Sequence, residues 1–233
     1  VSATQDFWLK NLSETGAYTR WILDEAHPWL GPRILEVGCG NGTHTVPLAA
    51  GGHVVVAVDI DPAYVRGALE KTAALSNVTV RHADATDPTE DFGGPFDSVM
   101  MLDVLEHIED DVAVLARLRK CLKPGGTIVL KVPAIEALHS SMDEAIGHWR
   151  RYSRTALTSA LVRAGYEVER VWSFNAFAVP GWWINGRVLK RVTPPADQIK
   201  LFNSLIPVLR PLDRILRLVG GLSYFAVGRN PSA

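Results

Sequence analysis

The chain has 233 residues, 47 % of them hydrophobic and 21 % charged, with 24 basic against 25 acidic side chains. That length suits one domain with a sizeable insertion, and the composition is too apolar for a disordered chain. A formal charge of −1 argues against a nucleic-acid partner, because neutralising phosphates needs a clear basic excess. No uninterrupted apolar run reaches about 18 residues, so no transmembrane helix is expected. The opening VSATQDFWLK lacks the apolar core of a signal segment. Two cysteines, Cys39 and Cys121, are too few for a disulfide scaffold or a structural zinc site, and a cytoplasmic chain is the expectation.

Residues 1–30 read as a helical segment in two pieces, the second near 17–26. Short runs rich in β-branched residues follow at 33–37, 54–58, 78–81, 96–102 and 127–132. Between them lie helical patterns at 62–75 and 110–122, where Val112, Leu115, Leu118 and Leu122 recur at three and four. Strands alternating with helices predict right-handed crossovers and a mostly parallel sheet, the α/β class. Residues 133–152 read as irregular. Ser153 then caps a helix that ends at Ala164-Gly165, with strands predicted at 166–172 and 224–229. About fifty residues separate these last two strands, too many for a turn. The expected division is an N-terminal helical segment (1–30), a core (31–172 and 224–233) and a helical insertion (173–223).

The sharpest local signal is Ile34-Leu35-Glu36-Val37-Gly38-Cys39-Gly40-Asn41-Gly42-Thr43. A buried strand runs into three alternate glycines, which let the backbone turn sharply and come close to a ligand. A dinucleotide fingerprint would place its third glycine at Thr43, which disfavours a nicotinamide dehydrogenase. A carboxyl at Glu36 suits a ligand with an amino or sulfonium group. Asp59 lies 21 residues after Gly38, where Rossmann-type units place an acid on ribose hydroxyls. Asp84 follows the third strand and can accept from an exocyclic amine. Together these acids suit an amino acid, a ribose and an adenine without phosphates.

The blocks LEVGCGNG (35–42), VVAVDID (55–61), HADATD (82–87), FDSVMMLDVLEHIEDD (96–111) and LRKCLKPGGTIVLKVP (118–133) occur in order. Jointly they resemble class I S-adenosylmethionine-dependent methyltransferases, especially the small-molecule group that includes the ubiquinone-biosynthesis type. The resemblance implies a Rossmann-like seven-stranded sheet of order 3-2-1-4-5-7-6, strand 7 antiparallel, with helices on both faces. It implies S-adenosyl-L-methionine as cofactor. Glu36 with the backbone of Gly38, Cys39, Gly40 and Gly42 would hold its methionine part, and Asp59 its ribose. Ile60 would pack on the adenine, Asp84 and Ala85 would meet the adenine amine, and Leu102 and Asp103 would line the path to the sulfonium. Cys39 itself reads as a packing residue, and His44 as structural or solvent-facing.

On the acceptor side, His107 belongs to the LEHI block of the resembling family. Gly147-His148-Trp149-Arg150-Arg151-Tyr152-Ser153 resembles a subset of these methyltransferases and follows the fifth strand, at the carboxyl edge of the sheet. Two readings stay open there. His148 or His107 acts as general base while Arg150, Arg151 and Tyr152 bind an anionic acceptor, or the block is a capping network that orders the loop. No CxxC or HxxxH occurs and the seven histidines are scattered, so no metal is expected. The expected activity is methyl transfer to an oxygen, nitrogen or carbon of a small-molecule acceptor. The alternative is a non-catalytic S-adenosylmethionine-binding or regulatory protein on the same fold.

The insertion carries seven basic residues (Arg187, Lys190, Arg191, Lys200, Arg210, Arg214, Arg217) against Asp197 and Asp213, a local excess of five. It also carries Phe174, Phe177, Trp182, Trp183 and Phe202, of which Trp182 and Trp183 are expected to touch the acceptor. Arg210, Arg214 and Arg217 share one helical face, and Pro207 and Pro211 are expected to kink or break that helix. The segment reads either as a lid whose basic face is simply solvated or as one that also makes a peripheral membrane contact.

Overall fold

Seven apolar runs become the strands of one sheet in the computed structural model of the chain, which describes Phe7 and residues 15–232. They are β1 (Arg33–Val37), β2 (Val54–Asp59), β3 (Val78–His82), β4 (Phe96–Leu102), β5 (Leu122–Pro133), β6 (Glu167–Phe174) and β7 (Ser223–Arg229). Their order is β3-β2-β1-β4-β5-β7-β6. The pairs from β3 through β5 are parallel, and β7 runs antiparallel to both β5 and β6. The Rossmann-like α/β fold expected from the sequence is therefore the one adopted. The strand order reverses between β1 and β4, the place where open α/β sheets leave a crevice for ligands.

Because successive strand residues face opposite ways, each apolar run supplies two layers. Leu35, Val37, Val56, Val58, Met101 and Leu130 pack on one side with Leu115 and Leu118 of α4 (Asp111–Lys120) and Leu157 and Leu161 of α6 (Arg154–Arg163). Ile34, Val55, Ala57, Met100 and Val129 pack on the other. They meet Trp21 and Ile22 of α1 (Gly16–Ala26), Leu48 of α2 (Thr45–Ala50) and Ala68 of α3 (Pro62–Thr72). Of the two helical pieces expected in 1–30, the first lies outside the described residues apart from Phe7.

Most elements end within a few residues of the expectation, and three departures are informative. β5 starts at Leu122, which pairs with Phe96 before a register shift, so Pro124-Gly125-Gly126 lies inside the strand rather than ahead of it. β6 runs on to Phe174. The irregular stretch holds α5 (Ser141–Ile146), whose six residues are too few to display a period. A capping box, with the Ser140 backbone N–H and hydroxyl both donating to Asp143 Oδ2, starts it.

The insertion leaves the carboxyl end of β6 as α7 (Ala178–Trp182), a wide turn at Trp183–Val188, and α8 (Ala196–Leu216). α8 runs through Pro207 and Pro211 unbroken, so of the expected kink or break the break does not occur. Each proline removes its own bond to the carbonyl four residues back, and both prolines lie on the exposed side of the helix. The solvated basic face needs a second correction. Arg210 donates to Asp24 at 2.6 Å and Arg217 to Glu25 at 3.2 Å, so two of its three arginines are paired with α1. Phe202 meets Tyr18 edge-on beside them. No helix among the described residues is long and apolar enough to cross a membrane.

Candidate functional site

The glycine loop is held by the second strand. The N–H groups of Gly38 and Cys39 both donate to Val58 O, at 2.8 and 3.0 Å. Gly40 N donates to Asp59 Oδ2 at 2.8 Å and Asp61 N to Asp59 Oδ1 at 2.9 Å. One carboxylate thus ties the loop after β1 to the turn after β2. Burial raises the Asp59 pKa against the pull of these bonds. Gly38 has φ +77°, and a Cβ there would lie 2.2 Å from Val104 Cγ2, so this position admits no side chain.

The other acids divide. Asp84 lines the cavity, and its Oδ1 accepts from Thr86 N and Oγ1. Ile60 stands 63 % exposed on the rim. Ala85 lines the wall, with its carbonyl taken by Arg117. Glu36 does not line the cavity. It is buried beneath the loop, accepts from Thr45 Oγ1 at 2.6 Å, and burial pushes its carboxyl up to about 8, so it is protonated at neutral pH. Gly42 likewise faces away, against Ala68 of α3. Burial also raises the Cys39 thiol, leaving it unreactive on the wall.

The cavity spans the carboxyl ends of β1 to β6 and has a volume of about 1520 Å³. Single small-molecule sites occupy roughly 300–1,000 Å³, so this one has room for two ligands side by side. Its far half is polar at the base. Leu102 ends β4 and Asp103 follows it; Asp103, at φ +54°, accepts from the buried Lys131 at 2.6 Å. Burial works against the Lys131 charge, but Asp103 outweighs it and keeps the ammonium protonated.

His107 and His148 meet there, with ring centroids 4.8 Å apart. His107 Nδ1 lies 3.1 Å from Gly147 O and His148 Nδ1 lies 2.9 Å from Asp143 Oδ1. Both partners only accept, so each Nδ1 carries a proton and each Nε2 is the nitrogen left toward the cavity. Burial, reinforced by His148, lowers the pKa of His107. His148 Nε2 is 3.6 Å from Oε1 of the fully buried Glu106. Among the described residues neither Glu106 oxygen has a hydrogen-bond partner, and burial followed by the Asp103 charge raises its pKa well above the carboxylate range. Donor atoms of Glu106, His107 and His148 lie within 4.8 Å of one another. The histidines that look scattered along the chain are thus partly assembled by the fold, into a set of donors that suits a divalent cation as well as a proton.

The HWRRY block splits. Arg151 Nε donates to Asp143 Oδ1 at 2.8 Å, its Nη1 to Ala134 O at 2.9 Å, and its guanidinium lies 4.7 Å from the Trp182 ring centroid. Arg151 and Trp182 line the cavity. Arg150 instead reaches Glu109 O and Asp111, and the Tyr152 hydroxyl donates to Asp111. Neither of them faces the cavity, and Trp183 is 51 % exposed outside it. The sequence reading missed Tyr18, Lys131, Asp143 and Asn175. Asn175 is buried at φ +62°, and its Oδ1 has no hydrogen-bond partner among the described residues. His44, read as structural or solvent-facing, also lines the wall, and burial pushes it down to about 4. These residues lie outside the loop motifs, and only the fold brings Tyr18, Lys131, Asn175 and His44 to the cavity wall and sets Asp143 behind His148. An asparagine just past the last residue of a strand is the one signal that could have flagged Asn175.

Known proteins give a consistent picture. A family model described as a methyltransferase domain matches residues 6–171. The ubiquinone biosynthesis O-methyltransferase of Xanthomonas campestris pv. campestris is 35 % identical over 113 residues, 46 % of this chain and 47 % of that protein. The enzyme of the same name from Xanthomonas axonopodis pv. citri is 32 % identical over 155 residues, 60 % of this chain and 65 % of that protein. The chain spans about half the length of the first of these curated relatives. In three dimensions it is similar to a chain of the complex containing the Haloferax volcanii Trm112 methyltransferase activator (TM-score 0.70, 16 % identity, 99 % of both chains). It is also similar to Haemonchus contortus phosphoethanolamine N-methyltransferase 2 (TM-score 0.61, 18 % identity, 87 % of this chain and 49 % of that one). At such identities the structural likeness speaks for the fold alone.

Proposed function

Because the chain belongs to the methyltransferase-domain family, whose model spans residues 6–171, we propose that it transfers a methyl group from S-adenosylmethionine to a hydroxyl oxygen of a small, largely apolar acceptor. The observation that carries this reading is one continuous cavity. One half offers the glycine loop and Asp59, the other a pair of imidazoles, with space for two ligands.

When bound, S-adenosylmethionine supplies an electrophilic methyl group on a positively charged sulfur. The donor set suits it. Asp59 spends one lone pair of each oxygen on backbone N–H groups and keeps others for ribose hydroxyls. Ile60 offers an exposed apolar side chain for the adenine, and Asp84 keeps Oδ2 for its amine. Glu36, protonated beneath the loop and bonded to Thr45, supports the loop from below and puts no charge on the cofactor.

The remaining residues serve the acceptor. In-line displacement needs the two reacting atoms held about 3–3.5 Å apart with water excluded. Tyr18, Phe177, Trp182 and Phe202 close the cavity with apolar surface. His148 Nε2, or His107 Nε2 beside it, takes the proton from the acceptor hydroxyl as its oxygen attacks. Asp143 orients His148 and stabilises the imidazolium, and Arg151 holds Asp143. The name of the Xanthomonas relatives agrees with an oxygen acceptor.

Incubation with methyl-labelled cofactor and a panel of phenols, alcohols and amines, read by mass spectrometry, tests the proposal. Label on a hydroxyl compound, reduced at least tenfold by His148→Asn, is the expected result. Tight binding of S-adenosylhomocysteine with no transfer to any acceptor would support a non-catalytic binding protein instead. Loss of transfer on chelation, restored by a divalent cation, would reassign Glu106, His107 and His148 from proton transfer to metal binding.

A further inference from the structure

We propose that the outer face of the insertion between β6 and β7 seats on an anionic lipid bilayer. The described residues include 18 large hydrophobic side chains that are exposed, and 13 of them fall within residues 183–219. On α8, Leu201, Leu205, Val208, Leu212 and Ile215 follow one another at four, three, four and three residues, a single stripe along the helix. Ile206 and Asp213 of the same helix are buried on its other side. Past its end, Leu218 and Val219 are 85 % and 92 % exposed. Scattered surface leucines need no explanation, but a continuous apolar face on one segment marks a contact.

Charge selects the occupant. Arg210 and Arg217 are spent on α1, and Asp213 accepts from the backbone of Asn175 and Ala176. Among the described residues of the insertion, Arg187, Lys190, Arg191 and Arg214 stay exposed against one exposed carboxylate, Asp197. Arg187 and Arg191 donate to the neutral oxygens of His139 and Asn185, which leave their charge in place. A two-fold contact with a second copy would set this basic surface against itself. A bilayer with anionic headgroups takes both components, apolar side chains below the headgroups and cations among them. Since no helix of the described chain can cross a membrane, the contact is a surface one. The inner side of the same segment supplies Phe177, Trp182, Ile199 and Phe202 to the cavity wall, so a seated protein would hold its cavity next to the lipid.

Co-sedimentation with vesicles of phosphatidylcholine, with and without phosphatidylglycerol, tests this without cofactor or acceptor, so it stands or falls apart from the methyl-transfer reading. The wild-type chain should pellet with the anionic vesicles at low salt and much less with the neutral ones. The double variant Leu212→Asp/Ile215→Asp should lose at least tenfold in partitioning. Lys190→Glu and Arg214→Glu should each cost about fivefold or more. These side chains are exposed, so unchanged circular dichroism is expected to accompany the loss. Three results would overturn the proposal: no binding to anionic vesicles at low salt, equal binding to neutral vesicles, or a solution dimer that Leu212→Asp/Ile215→Asp dissociates.

Discussion

Asp59 combines two tasks that a contact inventory would separate. It is the buried acceptor that fastens Gly40 and Asp61, and it is the acid proposed for ribose hydroxyls. Each charge-assisted bond is worth roughly 1.5–3 kcal/mol, and a buried N–H left without an acceptor costs about 1–3 kcal/mol. Asp59→Ala should therefore weaken S-adenosylhomocysteine binding at least tenfold in calorimetry and lower stability in urea. Unchanged affinity in the folded variant would contradict the placement of the ribose. Glu36 gives a pH signature. Its carboxyl is raised by burial to about 8 in the folded chain, against an ordinary value near 4.5. The folded state thus holds a proton that the unfolded chain releases. The stabilisation is complete below about 4.5 and is lost as pH rises toward 8. Glu36→Gln, which can keep accepting from Thr45, should flatten the fall in unfolding free energy between pH 5 and pH 8. A wild-type slope retained in Glu36→Gln would place the titration elsewhere.

Between β5 and α6 the chain is organised by charge rather than by apolar period. Asp143 starts α5, accepts from His148 and from Arg151, and is fully buried. Burial pulls its pKa up, but the His148 bond and the Arg151 charge prevail and hold it low. Its contribution to stability is present above the ordinary carboxylate range and is lost as pH falls through the folded value. Removing one member of a buried ion pair costs about 3–5 kcal/mol, because the other charge is left uncompensated. Arg151→Ala should show a loss of that order in chemical denaturation. Arg150→Ala, which gives up contacts to Asp111 and Glu109 O while 31 % exposed, should cost less than about 1 kcal/mol. Equal losses for the two variants would deny the network its role. The arginine expected from the sequence to clamp an acceptor is, at Arg151, first a structural cation. Its stacking on Trp182 carries that order to the cavity wall.

At the scale of the molecule, the sheet and its two packed layers hold the strand ends still, while the cavity lies across six of them with the insertion as its roof. A ligand that binds only this assembled state stabilises it by mass action, by about 2.7 kcal/mol at a hundred times its Kd. For a chain of this length that corresponds to a rise in Tm of roughly 5–10 °C. S-adenosylhomocysteine should produce such a shift, reduced nicotinamide cofactors should not, and Asp59→Ala should diminish it. A flat response to S-adenosylhomocysteine would remove the cofactor half of the proposed site.

The amino-acid sequence by itself determined the strands, their order by family resemblance, the glycine loop, Asp59 and Asp84. These depend on local period, on conformations open only to glycine, and on acids at strand ends, all of which are written in consecutive residues. It did not reveal α5, which is too short to show a period, nor the outward apolar stripe of α8. There, Leu201, Leu205, Val208, Leu212 and Ile215 look as suited to a core as Phe202 and Ile206. Which set is buried depends on α1 and the carboxylates of Asp24 and Glu25, nearly two hundred residues away. The pairing of His107 with His148, the Glu106 and Asn175 oxygens left without a partner among the described residues, and the withdrawal of Arg150 and Tyr152 from the cavity were likewise decided only by tertiary structure. A side chain's chemistry is set by what surrounds it, and those neighbours come from distant segments.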